Sequence, residues 1–383
     1  MKTRLFTPGP TPVPESVMLR MAQPIIHHRT AEFREIFKRA SENLQYLFQT
    51  EQPVLTLTSS GTGAMEAALV NTLSAGDEII HVNGGKFGER WGNIATAYGV
   101  TAHPLAIDWG GAPSVDDALA MLDRHPGAKA FCLTHSETST GSYTDVRAMA
   151  AALRERFDGL IIVDGITAVG AHEMRFDEWG IDIAVTGSQK GLMIPPGLAF
   201  IALSERAWKA AETSTLPKFY YNLKKAKKSI ATADTPWTPA VTLVIGLDQA
   251  LEMLRVEGIE NVWARHDRLG SSLRAAVRAL GLTLFADPPS NAVTSINLPE
   301  RGDEFYALLK KKYSITAAAG QDHVKGKIFR VSHLGYYDEA DMLAVIYAIE
   351  SALTDVGHPH EQGAGLAAAL AVFSGTENPV EVK

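Results

Sequence analysis

A single cysteine stands in 383 residues, so no disulfide can form within the chain and no multi-thiolate metal site can be built from it. That residue, Cys132, sits in the apolar run Ala130-Phe131-Cys132-Leu133 and is expected to be a small core hydrophobe. Such thiol poverty suits a reducing compartment. No stretch approaches the roughly 18 uncharged apolar residues of a membrane span. The opening residues, Met1 to Pro8, hold no long apolar region and do not resemble a secretory leader. No long block of like charge occurs either: the net charge is −7, with both signs spread along the chain. The one basic run, Lys224, Lys225, Lys227 and Lys228, reads as a solvated face. These absences argue against nucleic-acid and membrane partners and lead to the expectation of a cytoplasmic protein. Internal repeats are also lacking.

The chain does have length and apolar content. With 46% hydrophobic residues it can bury a large core, and its length suggests a large and a smaller domain. Thr7-Pro8-Gly9-Pro10-Thr11-Pro12-Val13-Pro14 cannot be helix or central strand, because proline removes donors and fixes φ. It reads as part of an extended arm over residues 1–20. Phe33, Ile36, Phe37, Ala40, Leu44, Leu47 and Phe48 then recur at helical spacing. Short apolar runs follow at Val54–Thr58, Glu78–Val82, Lys129–Thr134, Leu160–Asp164, Ile181–Thr186 and Leu198–Leu203. They lack polar alternation, which marks strands covered on both faces of a largely parallel sheet. Helix candidates lie between them at Ala64–Leu73, Val115–Arg124 and Asp145–Phe157. This α/β pattern defines a large domain over 21–240.

Beyond Pro239 the pattern changes to long helices, Val241 to Glu257 and on to Leu280. Then come strand Ala292–Asn297, helix Asp303–Tyr313, strand Ile328–Ser332 and helix Asp338–Thr354. A smaller α+β domain over 241–357 is expected, with a Gly- and Ala-rich tail over 358–383 that is loosely docked or disordered.

Ligands of parallel α/β sheets bind beyond the strand ends, and three ends are unusual here. Ser59-Ser60-Gly61-Thr62-Gly63-Ala64 leads straight into a helix. Glycines let backbone amides approach an oxyanion, and the helix start supplies unpaired donors, so a phosphate fits as well as a plain tight turn does. No Walker lysine follows. A second end carries Asp164, which could cap a helix or face a protonated ring nitrogen; no neighbouring ligand supports a metal. The third is Thr186-Gly187-Ser188-Gln189-Lys190-Gly191. A lone lysine is usually a surface residue, but no other charge stands between Ile183 and Ser204. A desolvated lysine has a lowered pKa and becomes an amine nucleophile. An acid, then a lysine on the next strand, with a phosphate cradle upstream, is what pyridoxal phosphate requires.

These stretches, in order, resemble the class V aminotransferases of fold type I, and most closely the alanine–glyoxylate and serine–pyruvate (or serine–glyoxylate) branch. Others that carry the likeness are Thr7-Pro8-Gly9-Pro10, Thr134-His135-Ser136-Glu137-Thr138-Ser139-Thr140-Gly141, Pro195-Pro196-Gly197 and Phe329-Arg330-Val331-Ser332. The resemblance implies a mostly parallel seven-stranded sheet between helices, plus a smaller C-terminal domain. It implies pyridoxal 5'-phosphate carried on Lys190 and Asp164 as partner of the ring nitrogen. Thr62, Gly63, Ala64 and Gln189 correspond to phosphate contacts, and Thr138 to a hydroxyl near the ring. Phe87 corresponds to the aromatic that stacks on the cofactor, and Ile166 to a further cofactor contact. Arg330 and Gly9 correspond to substrate contacts, with Arg330 forking onto the carboxylate. Thr235, or Thr238 in a looser register, corresponds to a threonine that reaches the phosphate of a neighbouring subunit, so a homodimer with its site at the interface is implied.

Departures touch the rim: Ser136 within His135-Ser136-Glu137, Gly165 after the aspartate, and Ala64 where a larger residue is usual. The implied reaction moves an amino group from alanine or serine to glyoxylate or pyruvate. The expected small donor also rests on the lack of an evident second cation for a side-chain carboxylate. Rival readings are phosphoserine, pyridoxamine–pyruvate or aminoethylphosphonate aminotransferases, and a non-catalytic binding protein of the same fold. Cysteine desulfurase is disfavoured by the strand position of Cys132. Hydrogenase chemistry, a label borne by some relatives, lacks cluster or nickel ligands in this chain. A dinucleotide-binding protein lacks a proper Gly-x-Gly-x-x-Gly run.

Overall fold

A computed structural model describes residues 2–375. Seven strands form the main sheet: β1 (Val54–Ser59), β2 (Glu78–Asn83), β3 (Thr101–Ala106), β4 (Ala130–Thr134), β5 (Leu160–Asp164), β6 (Ile183–Gly187) and β7 (Gly197–Leu203). Their spatial order is β1-β7-β6-β5-β4-β2-β3. All pairs are parallel except those of β7, which runs antiparallel to both neighbours. The seven-stranded, mostly parallel α/β sheet expected from the resemblance is therefore present. Strands β4, β5 and β6 are buried at every residue, as their unbroken apolar runs required.

Two apolar cores sandwich the sheet. One holds helices Ala31–Phe48, Val146–Arg154 and Val241–Glu257; the other holds Gly61–Thr72, Lys86–Ala97 and Glu205–Thr213. Strand β3 and helix Lys86–Ala97 were not expected from the sequence. Strand β3 is a mostly solvated edge that accommodates Pro104, so it carries no continuous apolar signal. Helix Glu15–Met21 begins directly after the proline-rich segment, at the end of the N-terminal arm.

A third core, including Phe6, Leu269, Leu273, Phe305, Phe329, Ile346 and Leu353, fills the C-terminal α+β part. Its three-stranded antiparallel sheet comprises Val293–Asn297, Ile328–Ser332 and Ala318–Ala319. The N-terminal arm joins this part: Arg4–Leu5 pairs with Ile315–Thr316, and the Ser332 amide donates to the Phe6 carbonyl at 2.9 Å. Phe6 is fully buried and stacks on Tyr337 with ring centroids 5.2 Å apart. Burying such a side chain is worth about 2–3 kcal/mol, which anchors the arm close to Lys190.

The tail differs from its expectation. Ala364–Ser374 is a helix packed on Ile259–Ala279, with Ala369 fully buried and Leu366 and Phe373 against the third core. The Glu350 carboxylate accepts from the Gly363 amide at its start. Residues 376–383 of the expected tail lie outside the described residues. The basic run forms one side of helix Leu223–Ile230, whose Leu223 and Ala226 are buried. Among the described residues, no helix is long and apolar enough to cross a membrane.

Candidate active site

Lys190 follows β6 on a loop held by Ser188, whose hydroxyl donates to the Pro195 carbonyl at 2.8 Å. The lysine is buried, and its Nζ donates to the Pro8 carbonyl at 2.6 Å. Gly9 makes this approach feasible. Its φ is +146°, and a Cβ there would stand 2.4 Å from Lys190 Nζ. Burial pushes the amine down to about 8; the charge of Asp164 opposes this, while Arg330 and Arg90 add to it.

The lowered value has a stability consequence in the cofactor-free protein. Between about pH 8 and 10.5 the unfolded chain holds a proton that the folded chain has released, so stability rises with pH across that window. Below pH 8 the full cost of the buried charge is present. Lys190→Met is therefore expected to stabilise the cofactor-free protein at pH 7 by about 3 kcal/mol. Denaturant melts from pH 7 to 10.5 should show the gap between variant and wild type closing. A gap independent of pH would refute the buried, charged amine.

Asp164 ends β5 between Thr134 of β4 and Val185 of β6. It is buried, and its Oδ1 accepts from the Ile166 amide at 2.8 Å. Burial raises its pKa to about 7, against the amide bond; Glu137 adds to the rise and the charges of Arg90 and Lys190 oppose it. Such a carboxyl is poised to ionise fully when a cation is placed against it. Ile166 is buried beside Gly61, where a Cβ would lie 2.5 Å from Ile166 Cδ1.

The glycine-rich turn opens helix Gly61–Thr72, and its N-cap Ser60 makes no side-chain capping bond. The Gly63 amide donates to the Ser60 carbonyl at 2.9 Å, while the Gly61 and Thr62 amides before it lack an intrahelical acceptor and are open to an anion. Gly63 admits close packing, since a Cβ would fall 1.9 Å from Ser59 Oγ. Ala64 is fully buried behind it. Gln189 reaches the same place. A Cβ on Gly187 would stand 3.3 Å from Gln189 Oε1 and 3.5 Å from the Gly61 amide. Gln189 Oε1 is buried without a partner. That oxygen is an acceptor, so a phosphate cannot satisfy it; the end of Gln189 that could meet an anion is its amide NH2.

Arg330 comes from the small sheet and crosses to the loop that follows β4. Its guanidinium donates to the Thr138 carbonyl at 2.7 Å and to the Ala319 carbonyl at 2.7 and 3.2 Å. It is buried, and desolvation lowers its pKa. Among the described residues no carboxylate lies within ion-pair distance of it. A fixed, unpaired guanidinium is suited to an incoming carboxylate. The Thr138 side chain shares a 2.5 Å hydrogen bond with Thr167.

Two residues of the site were not anticipated. Glu137 is buried and accepts from the amides of Phe87, Gly88 and Ser139 at 2.9–3.0 Å, and from the Ser139 hydroxyl. It thus caps helix Lys86–Ala97 and fixes Phe87; burial raises its pKa. The second is Arg90, whose guanidinium lies 4.7 Å from the Phe87 ring centroid and donates to Thr62 Oγ1 at 2.9 Å. The expected lack of a second cation is therefore corrected: Arg90 stands within electrostatic reach of both Lys190 and Asp164. Both arise from one missed helix, which carries Phe87 and Arg90 one turn apart.

Thr235 and Thr238 do not join this cluster. They line a small recess with Thr56, Thr58, Tyr220 and Ala226. The Thr235 hydroxyl donates to the Trp237 carbonyl at 2.7 Å.

The residues present fit pyridoxal phosphate: a desolvated lysine, a buried acid and an open helix end come from separate elements. Comparison with known proteins gives the class. The chain matches the family model of class-V aminotransferases over residues 4–344 and belongs to that family, which is pyridoxal-phosphate dependent. It is 46% identical to the "Soluble hydrogenase, small subunit" of Synechococcus sp. (strain PCC 6716), covering 97% of this chain and 99% of that one. It is 37% identical to the L-aspartate–glyoxylate aminotransferase of Paracoccus denitrificans, covering 95% and 94%. The solved ureidoglycine–glyoxylate aminotransferase of Bacillus subtilis superposes with a TM-score of 0.90 at 28% identity, covering 98% of both chains.

Proposed function

We propose that this chain binds pyridoxal 5'-phosphate on Lys190 and moves an amino group from a small amino acid, alanine or serine, to glyoxylate or pyruvate. The observation that carries the reading is the buried Lys190 amine, which donates to the Pro8 carbonyl at 2.6 Å past the end of an uncharged strand. When bound, the cofactor supplies an electron sink for the substrate's Cα–H bond. Asp164 would hold the proton on the ring nitrogen, since a cation against it favours its ionised form. The amides at the start of helix Gly61–Thr72, the Thr62 hydroxyl and the Gln189 amide NH2 would hold the phosphate. Phe87, set by Glu137, and Ile166 would hold the ring.

Arg330 receives the α-carboxylate in its fork, held in orientation by the Thr138 and Ala319 carbonyls. Lys190 would take the α-proton and later return it, a role suited to an amine whose pKa is lowered toward neutral. Gly9 keeps the space at its Nζ open. Thr235 or Thr238 reaches the phosphate of a second copy in a homodimer. That surface is apolar: Ile25, Phe219 and Tyr220 are exposed, and Phe219 stacks on Trp237 beside this loop.

Glyoxylate as acceptor is supported by the names of the Paracoccus and Bacillus relatives, while the former also makes aspartate the main rival donor. Rapid-mixing half-reactions with alanine, serine, aspartate, glutamate and phosphoserine decide between them. Alanine or serine should bleach the visible cofactor band at least about tenfold faster at equal concentration, the gain of one 1.4 kcal/mol discrimination. A clear preference for an acidic or phosphorylated donor would refute the small-donor assignment.

A further inference from the structure

We propose that Arg90 is the fixed cation of the phosphate cradle, acting through Thr62 and by its own charge on the phosphate of the bound cofactor. This rests on the reading of Lys190 and the Gly61–Ala64 turn given above.

The argument starts from charge. A phosphate monoester carries close to two negative charges at neutral pH. An open helix end offers about half a positive charge, and Gln189 and the threonines are neutral. Backbone dipoles alone leave most of that anion uncompensated in a partly desolvated site. Arg90 is half-buried, and among the described residues its guanidinium has no carboxylate within ion-pair distance. A free cation is retained there by two neutral contacts: the hydroxyl of Thr62 and the face of Phe87.

The Thr62 contact also sets a direction. A hydroxyl has one proton to give and lone pairs to receive. With Arg90 donating to Thr62 Oγ1 at 2.9 Å, the Thr62 proton stays free to be given to an anion beside the first two amides of the same helix. Arg90 thus makes Thr62 a donor toward an anion. Its placement on the helix that carries Phe87 couples ring stacking and phosphate charge through one rigid element, whose start is clamped by Glu137. This occupation also explains how a second cation near Lys190 is compatible with a small amino donor.

The test compares pyridoxal 5'-phosphate with pyridoxal, which lacks the phosphate. Affinities are measured by visible absorbance for wild type, Arg90→Gln and Arg90→Lys, without any turnover. Arg90→Gln should weaken pyridoxal 5'-phosphate about 10- to 100-fold, the range of a lost charge-assisted contact. Pyridoxal affinity should stay within about twofold, which also reports a folded site. Arg90→Lys should fall between. Inorganic phosphate, the second probe, should compete with pyridoxal 5'-phosphate in wild type at concentrations that leave Arg90→Gln unaffected. Equal losses for both aldehydes would make Arg90 a support of Phe87 only and overturn the proposal. So would unchanged affinities, or an unchanged cofactor affinity with a raised KM for aspartate, which would assign Arg90 to a distal carboxylate. Wild-type protein that bound neither aldehyde would overturn the Lys190 reading itself, and this assignment with it.

Discussion

Lys190→Ala is expected to lower transamination by about 10,000-fold or more, because one amine serves as anchor, base and acid. The variant should still take up cofactor through its phosphate and ring contacts. It should not show the visible band of a lysine-bound cofactor. The cavity is expected to fold: the lysine's burial is a cost rather than a support, as the raised stability of Lys190→Met should show. An added small amine that restored part of the rate would tie the defect to the missing base. A variant retaining even a hundredth of wild-type activity would remove Lys190 from the mechanism. The size of the effect follows from the site having no rival amine. The neighbouring cations are guanidiniums, which do not give up a proton in proteins.

Arg330 carries the second large effect. Arg330→Lys keeps the charge and loses the fork, and is expected to raise KM for the amino donor about 100-fold. Arg330→Ala should cost about 1,000-fold in kcat/KM, since it also strands the buried carbonyl of Thr138. Cofactor affinity should change little in both, because Arg330 meets substrate rather than phosphate. Steady-state kinetics beside a cofactor titration separates the two terms. A variant with normal KM and poor cofactor binding would move Arg330 out of the substrate site. Together with the Arg90 variants this splits the two arginines by ligand: one loses amino acid, the other loses phosphate.

Why some of this was readable beforehand is a matter of local chemistry. Lys190 stood out because it is the only charge between Ile183 and Ser204. Burial of a strand end leaves that signature whatever the rest of the fold does. Asp164 was visible for the same reason at the end of a wholly apolar strand. The glycines of Gly61-Thr62-Gly63 mark close approach, and Ser59 and Ile166 are the groups that approach. Strand β3 was not readable, because an edge strand solvated on most positions and interrupted by Pro104 loses its apolar run. The helix Ala364–Ser374 was missed because a segment rich in alanine and glycine shows no polar–apolar contrast. Its docking is decided by the groove that receives it.

The sequence by itself determined the alternation of strands and helices, the strand-end positions of Lys190 and Asp164, and the open glycine turn. Each is written within a dozen residues, where backbone propensity and burial act locally. Only the tertiary structure decided that Pro8 and Gly9 close on the Lys190 amine from the other end of the chain. The same holds for Arg330 crossing from the small sheet to the Thr138 carbonyl, and for Glu137 capping the helix that aims Phe87 and Arg90. These contacts join residues 50 to 192 positions apart. Their strength comes from a desolvated centre that forms only once the arm, the sheet ends and the small sheet have met. The charge of Lys190 is therefore set by neighbours that no local stretch of sequence contains.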